Sequence, residues 1–450
     1  MAGGNWVTQN KIRPGAYINT IGVGSPAADN YRGIVLLLDG AKHNWGKNGI
    51  VELDRGSNFK KELGSDLNDD TNKALRETVK SAQKVLYVNL NDGEKASLSN
   101  ESFPWKFTAK YAGAKGNDIT IDLIKDINGD NVTVNYIYGT EITSTQKIQH
   151  ANELMGDDFV DVELVDGAEE KLSNASGEVS VKLTGGSTKN MDDKVPDILT
   201  EAIETNIFNV VTTAGYPVDS NIHELAAQLV QNLREKEGYH VTAVIPTLPS
   251  SDYNYEGTSA VMNGVVLQDG TQVERTFAAG YFAGASASVP FNQSLTYSEY
   301  PEAIDTIPRL SNDLIEQAIK KGKVVFTNRR DGSVVIEDDI NTLVRFTKTK
   351  PKFFAKNRLI RILDLIANNT KDTFEKVYIG KISNNATGRD LFKSDRITYL
   401  NGLQDAGCIE DFKATDIEVV KGESKDAVEV RLNVKPVDSM EKLYMTIIAE

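Results

Sequence analysis

Two kinds of apolar run alternate along the chain. Residues 33–39 (GIVLLLD) are short, uninterrupted and bounded by polar residues, the pattern of a strand buried on both faces. Residues 70–84 (DTNKALRETVKSAQK) carry helical spacing, and 85–90 (VLYVNL) predict a second buried strand. The same order resumes later. PDILTEAIET (196–205) predicts a helix, FNVVTTAG (208–215) a strand, NIHELAAQLVQNLREKEG (221–238) a helix stopped by Gly238, and HVTAVIPT (240–247) a strand. Between these blocks the period shortens to two. DITIDLI, NVTVNYIY, FVDVELV and EVSVKL alternate between Trp105 and Leu183, broken by the turn clusters INGDN and SNASGE. Polar segments at 91–102 and 184–193 flank this all-β stretch as linkers. The expected organisation is an interrupted α/β domain (25–103 and 188–330) with a small β domain (104–187) inserted at its surface.

The remaining third predicts an α+β unit over 331–438. VVIEDD and TLVRFTK read as strands, FFAKNRLIRILDLIANN and GRDLFKSDRITYLNGLQDAG as helices, and TDIEVV and AVEVRLNVK as strands. In AVEVRLNVK, Val428, Val430, Leu432 and Val434 alternate with polar residues, as in a half-buried strand ended by Pro436. The segment EKLYMTIIAE (441–450) is different. Extended, it places Leu443, Met445 and Ile447 on one side and Tyr444, Thr446 and Ile448 on the other, so both faces are largely apolar. Such a strand needs a place inside a sheet.

The 450 residues are enough for several cores, and 25% charged with 40% hydrophobic residues is an ordinary globular balance. The formal charge of -14 argues against a broad nucleic-acid-binding surface. A single cysteine, Cys408, excludes an internal disulfide and fits a reducing compartment. Neither a signal-type apolar region nor a spanning run is present, so folding in cytosol without membrane insertion is expected.

Catalytic patterns are missing. DGAKHNWGKNG follows the first apolar strand, where a phosphate loop would sit, but Gly40 lies one residue too far from Gly46 and Asn48 replaces the magnesium-binding hydroxyl. The plainer reading is a surface turn. DINGDN (126–131) has its glycine fourth instead of sixth, which makes it a hairpin turn and not a calcium loop. GASAS (284–288) lacks the second glycine of a nucleophile elbow and suits close backbone packing. His43, His150, His223 and His240 are scattered and read as structural. Asp338 and Asp339, adjacent in an expected strand, point to opposite faces and make a poor acid/base pair. No catalytic residue, metal site or cofactor is expected.

One charged feature stands apart. Between Arg345 and Lys371 lie eight basic residues, Arg345, Lys348, Lys350, Lys352, Lys356, Arg358, Arg361 and Lys371, against Asp364 alone. Leu359, Leu363 and Ile366 share one helix face, with Arg358 and Arg361 roughly opposite. A solvated face is the ordinary explanation, but the local reversal of charge favours an acidic partner.

RPGAYIN, LTGG, FNQSLTY, DGSVVIEDDINTLVRFT, FFAKNRLIRILD, YIGKISNNATGRDLF and VDSMEKLYMTIIAE, in this order, resemble the tail sheath proteins of contractile-tailed bacteriophages and phage-tail-like bacteriocins. The opening MAGGNWVTQNKIRPG is most similar to sheaths from Gram-positive defective prophages and phages. The resemblance implies a subunit that stacks helically with copies of itself around an inner tail tube protein, with baseplate and tail terminator proteins as further partners. It also implies that amino- and carboxyl-terminal arms (1–24 and 439–450) donate strands to neighbours and complete their C-terminal α+β domains. The strand residues would be Tyr17, Ile18, Ile21, Leu443, Tyr444, Met445, Ile447 and Ile448. The helix 353–367 would face the tube, through Lys352, Lys356, Arg358 and Arg361, and the β insertion would point outward. Assembly in a bacterial cytoplasm and incorporation into a virion or tail-like particle follow. The competing readings are an α/β enzyme with a β insertion and, less well supported without a signal sequence, a secreted surface-layer protein.

Overall fold

A computed structural model describes residues 3–4, 16–17, 32–98, 103–126, 131–174, 177–247 and 252–449. Seven strands form its central sheet, in the order Lys323–Val324, Thr258–Val261, Thr242–Pro246, Val210–Thr212, Ile34–Leu37, Lys84–Asn89 and Gly49–Leu53. Every adjacent pair is parallel except the last. Val35, Leu37, Val85, Tyr87 and Val210 face a core shared with the helices Lys73–Val79 and Arg275–Ser288. Ile34, Leu36, Leu38, Leu86 and Val211 face the opposite core, against Val195–Thr205 and Asn221–Asn232. A parallel sheet covered on both sides demands apolar residues at consecutive positions, which is why GIVLLLD and VLYVNL read as unbroken runs. Gly238 ends its helical segment in the left-handed region at φ 70°, as expected.

Helix Arg275–Ser288 has no amphipathic stripe, because nearly all of it is buried. A Cβ at Gly284 would come within 2.4 Å of the Thr78 carbonyl oxygen, so GASAS serves close helix packing. The expected strand at TLVRFTK does not form. Its backbone donors are taken singly instead, Leu343 by the Asn341 side chain at 3.0 Å and Val344 by that of Asn254 at 2.9 Å, leaving no ladder.

The alternating segments build two antiparallel sheets. One runs in the order Glu141–Ile148, Val132–Tyr138, Ile119–Lys125, Glu178–Lys182, and the other Val160–Leu164, Trp105–Ala109, Ser97–Leu98. Their outgoing and returning connections lie side by side, bridged at Asn91 to Asn190 and Glu94 to Ser187. The two sheets share a core that a residue from the side of the central sheet enters. Trp45, on the loop between the first two strands of the central sheet, is fully buried there beside Tyr111, Tyr138 and Phe159, and its indole N–H donates to the Lys61 carbonyl at 2.8 Å. The loop DGAKHNWGKNG is therefore a plug between layers and not a free surface turn.

The order of strands reverses between Ile34–Leu37 and Val210–Thr212, and past such a reversal α/β enzymes bind ligands. Here the space is filled. A Cβ on Gly40 would meet the Tyr216 ring at 2.8 Å. Asp39, buried, accepts from the Tyr87 hydroxyl at 2.8 Å and the Ala41 N–H at 2.9 Å, and Tyr87 lies 2.7 Å from His43 Nε2. Burial raises the Asp39 carboxyl from 3.8 to about 6. Burial, with the Lys115 charge adding, lowers His43 from 6.5 to about 4.

Two outcomes are expected. Trp45→Ala should lower stability by about 3–5 kcal/mol, read from urea unfolding. For the same reason, replacing 104–187 by a short Gly/Ser linker should give soluble protein only with Trp45 also made polar; a soluble, folded deletion variant retaining Trp45 would remove the plug role. The titrations have opposite signs. Asp39, raised, contributes stability present below 3.8 and lost as pH rises through about 6; His43, lowered, contributes stability present above 6.5 and lost as pH falls through about 4. Asp39→Asn should make stability fall more steeply than in the parent protein between pH 6.5 and 4, whereas His43→Gln should make it rise relative to the parent over that window. Denaturation midpoints measured across the range compare the three proteins.

Candidate functional site

The helices Asn357–Thr373 and Ala386–Asp405 pack Ile362, Ile366, Leu400 and Leu403 against Cys408, Phe412 and Ile417. The hairpin Ile417–Lys421 with Val428–Leu432 stands on this core as a separate two-stranded sheet. Among the described residues neither outer edge of that hairpin has a ladder partner, and Val430 is exposed. After Lys435–Pro436 pairs with Ile409–Glu410, the Val437 N–H donates to the Cys408 carbonyl at 2.9 Å. Past Glu441 the chain leaves the body.

The segment KLYMTIIA forms no strand within its own subunit. Leu443, Tyr444, Met445, Ile447 and Ile448 are between 69% and 90% exposed. Five large apolar side chains within six residues of a solvent-facing extended segment form an unfilled hydrophobic surface. Its root, by contrast, is held. Glu441 accepts from Lys356 Nζ at 2.5 Å and from the Thr296 and Ser294 hydroxyls at 2.9 and 3.2 Å, while Arg358 donates to the Ser439 hydroxyl at 2.6 Å. Of the amino-terminal arm, Ala16–Tyr17 pairs in parallel with Gly3–Gly4, and Ile18 and Ile21 lie outside the described residues.

The basic segment differs from its expected form. Lys352 is exposed, Lys356 is half-buried between Asp338 and Glu441, and Arg358 and Arg361 are buried. Arg361 pairs with Asp339 at 2.6 Å, and the charge of Arg361, with hydrogen bonds from Leu295 and Asn357, holds the Asp339 carboxyl below its usual range against the opposing effect of burial. A solvent-facing arginine stripe on this helix is thus corrected. The face opposite Leu359 and Ile366 is covered too, by the segment 293–296, by Asp338 and Asp339, and by the arm's root. Helical spacing finds a face that differs from the apolar one; it does not tell whether that face meets water or buried carboxylates. Asp338 and Asp339 do diverge, to Lys356 and Arg361 respectively. The exposed cations lie before the helix, at Arg345, Lys348 and Lys352, with Phe346 and Phe353 exposed among them.

The histidines hold structural places. His223 is buried between the Thr213 hydroxyl at 2.6 Å and the Pro217 carbonyl at 2.9 Å, and burial lowers its pKa. His240 lies 3.2 Å from Asp364, which also accepts from Nη1 and Nη2 of Arg234 at 2.7 and 2.8 Å. Among the described residues no group of three or more His, Cys, Asp or Glu side chains is arranged to hold a metal ion, and no helix is long and apolar enough to cross a membrane.

Residues 189–342 match the family model described as the phage tail sheath protein central domain, and 349–450 match the phage tail sheath C-terminal domain. The chain is 33% identical over 476 residues to the phage-like element PBSX protein XkdK of Bacillus subtilis, an alignment covering 99% of each. Its fold is similar to the crystal structure of the sheath tail protein from Desulfitobacterium hafniense, with a TM-score of 0.76 at 33% identity over 96% of this chain and 99% of that one. The sheath tail protein from Listeria innocua gives 0.78 at 31% identity over 93% and 94%. With matches that run from the central sheet through the exposed arm, and a relative aligned over almost its whole length, the chain belongs to the family of contractile phage tail sheath proteins.

Proposed function

We propose that this chain is the structural subunit of a contractile tail sheath, polymerising helically around an inner tube and shortening to drive that tube through a target cell envelope. The observation that carries this reading is the arm 442–449, apolar on both faces and unpaired in its own subunit. The hairpin Ile417–Lys421 and Val428–Leu432 supplies a matching acceptor, since among the described residues nothing pairs with either of its outer edges. Addition of a neighbour's arm to such an edge is β-augmentation, in which backbone hydrogen bonds give affinity and alternate side chains give register. A donor on one surface and an acceptor on another make a heterologous contact, which propagates as a filament instead of closing. The amino-terminal arm, with Tyr17, Ile18 and Ile21, takes the second edge in this scheme. Assembly in a bacterial cytoplasm, contact with baseplate and tail terminator proteins, and incorporation into a phage or tail-like particle belong to the same proposal. The filled crevice over Gly40 counts against the enzyme reading.

Contact with the tube is assigned to the loop before helix Asn357–Thr373 and not to the helix itself. Lys348 and Lys352, with Phe346 and Phe353, are accessible there, whereas Arg358 and Arg361 are committed inside the subunit.

Removing residues 439–450 should leave a soluble monomer with near-normal circular dichroism that forms no tubes in negative-stain microscopy. Long sheaths from the truncated protein would show that the arm is not the connector, and global unfolding would place it in its own subunit's core. The tube contact separates from stability by two variants. Lys348→Glu with Lys352→Glu should keep the parent unfolding midpoint and weaken growth on tubes, an effect that added salt reproduces in the parent. Arg361→Ala, leaving Asp339 buried without its cation, should instead cost about 3–5 kcal/mol in urea unfolding; the loop assignment fails if the double lysine variant grows on tubes as the parent does.

A further inference from the structure

Ser439 and Glu441 turn toward the body while Met440, between them, is fully exposed, the alternation of an extended backbone. Their partners alternate in the same way. Lys356 takes Glu441 and Arg358 takes Ser439, so two cations two residues apart grip two polar side chains two residues apart. Glu441 is further fixed by the hydroxyls of Ser294 and Thr296 and lines a cleft of about 1050 Å³ together with Asp338, Lys356 and Lys442. Past Glu441 the side chains of 443–448 are exposed. We propose that Ser439 and Glu441, held by Arg358 and Lys356, form a two-point latch that sets the free length and starting direction of the carboxyl-terminal arm, and that opening it lengthens the arm. This rests on the reading of the arm as the connector between subunits.

The latch changes reach by a calculable amount. Closed, it frees residues 442–449, about 26 Å at roughly 3.3 Å per extended residue. Open, the free segment starts near Asp438 and spans about 40 Å on the same basis. A connector of two lengths lets a neighbour shift by about 13 Å without unpairing its strand. The clasp is also suited to opening. Lys356 is shared with Asp338, whose carboxyl is raised by burial, with the Glu441 charge adding, so Lys356 keeps one carboxylate when Glu441 departs. For Lys356 the bonds to both carboxylates outweigh burial and raise its pKa, which keeps the clasp charged. Glu441 lies outside every helix and strand, and a glutamine there keeps its shape while removing its charge.

Two variants of the full chain, studied as monomers, test the latch without relying on assembly. Lys356→Met leaves the sequence around Lys442 intact, so the rate of limited trypsin cleavage after Lys442 reports the release of the root; it should rise about tenfold, the scale set by losing one charge-assisted hydrogen bond. Glu441→Gln, carrying a fluorophore on Met445→Cys, should show lower anisotropy than the same label on the parent sequence. Unchanged cleavage and unchanged anisotropy would overturn the latch. Microscopy of the parent separates this from the broader reading: a parent chain that never forms tubes sinks the sheath-subunit proposal while leaving the monomer measurements to decide the latch. If the parent does form tubes, Glu441→Gln should give tubes with a broader distribution of subunit spacing, and identical spacing would count against a latch that sets arm length.

Discussion

Helix Asn357–Thr373 carries charge into the interior from several of its faces, and a buried charge is costly unless an opposite charge or hydrogen-bonding groups stand beside it. Much of the molecule is arranged to meet that condition. Arg361 reaches Asp339 just past the strand Val334–Ile336, and Asp364 reaches Arg234 at the end of a helix that covers the central sheet. Asn357 joins Ser259 and Asp339, and Asn368 exchanges two hydrogen bonds with the backbone of His240. These contacts are directional and lie in a region of low dielectric, so they fix the helix against the α/β body more sharply than apolar packing alone would. The C-terminal unit is therefore docked, not tethered, and the arm that leaves it starts from a defined place.

A similar economy operates at the other end of the sheet. The crevice where a related architecture would seat a nucleotide is closed by Tyr216 over Gly40, and the loop that would cradle phosphate turns inward to deliver Trp45 into the β layers. An α/β fold is not an argument for catalysis; what occupies its switch point is. Here that position is spent on holding two layers together. The buried Asp39, Tyr87 and His43 are the polar remainder of that junction, satisfied largely by one another.

Much of this was legible in the residues. GIVLLLD and VLYVNL announced doubly covered strands, because a strand with helices on both sides has no polar face to show. The alternation in NVTVNYIY and DITIDLI announced a sheet with one face in a core, and the register bears it out in alternating burial along Val132–Tyr138. Helix Arg275–Ser288 escaped notice for the converse reason. Buried all round, it has no polar stripe for periodicity to detect, and the usable signal was its long run without charge after Arg275. Trp45 escaped because a lone aromatic in a Gly/Asn/Lys loop carries no local mark of the distant core it enters. The strand expected at TLVRFTK failed because nearby asparagine side chains captured its backbone donors.

The arm and the basic segment divide the matter most clearly. Apolar residues on both faces of LYMTIIA are a local property, since side-chain direction in an extended chain follows from position alone, and so the need for a sheet was set by the sequence itself. Membership of the sheath family was likewise carried by ordered motifs along the chain. What Arg358 and Arg361 do was decided only by the tertiary structure. A charge has the same helical phase whether it meets solvent or a buried partner, and the partners in question, Asp339 for Arg361 and the Ser439 hydroxyl for Arg358, come from segments outside the helix. Periodicity orients a side chain relative to its own axis. Only the packing of the other segments determines what stands in front of it.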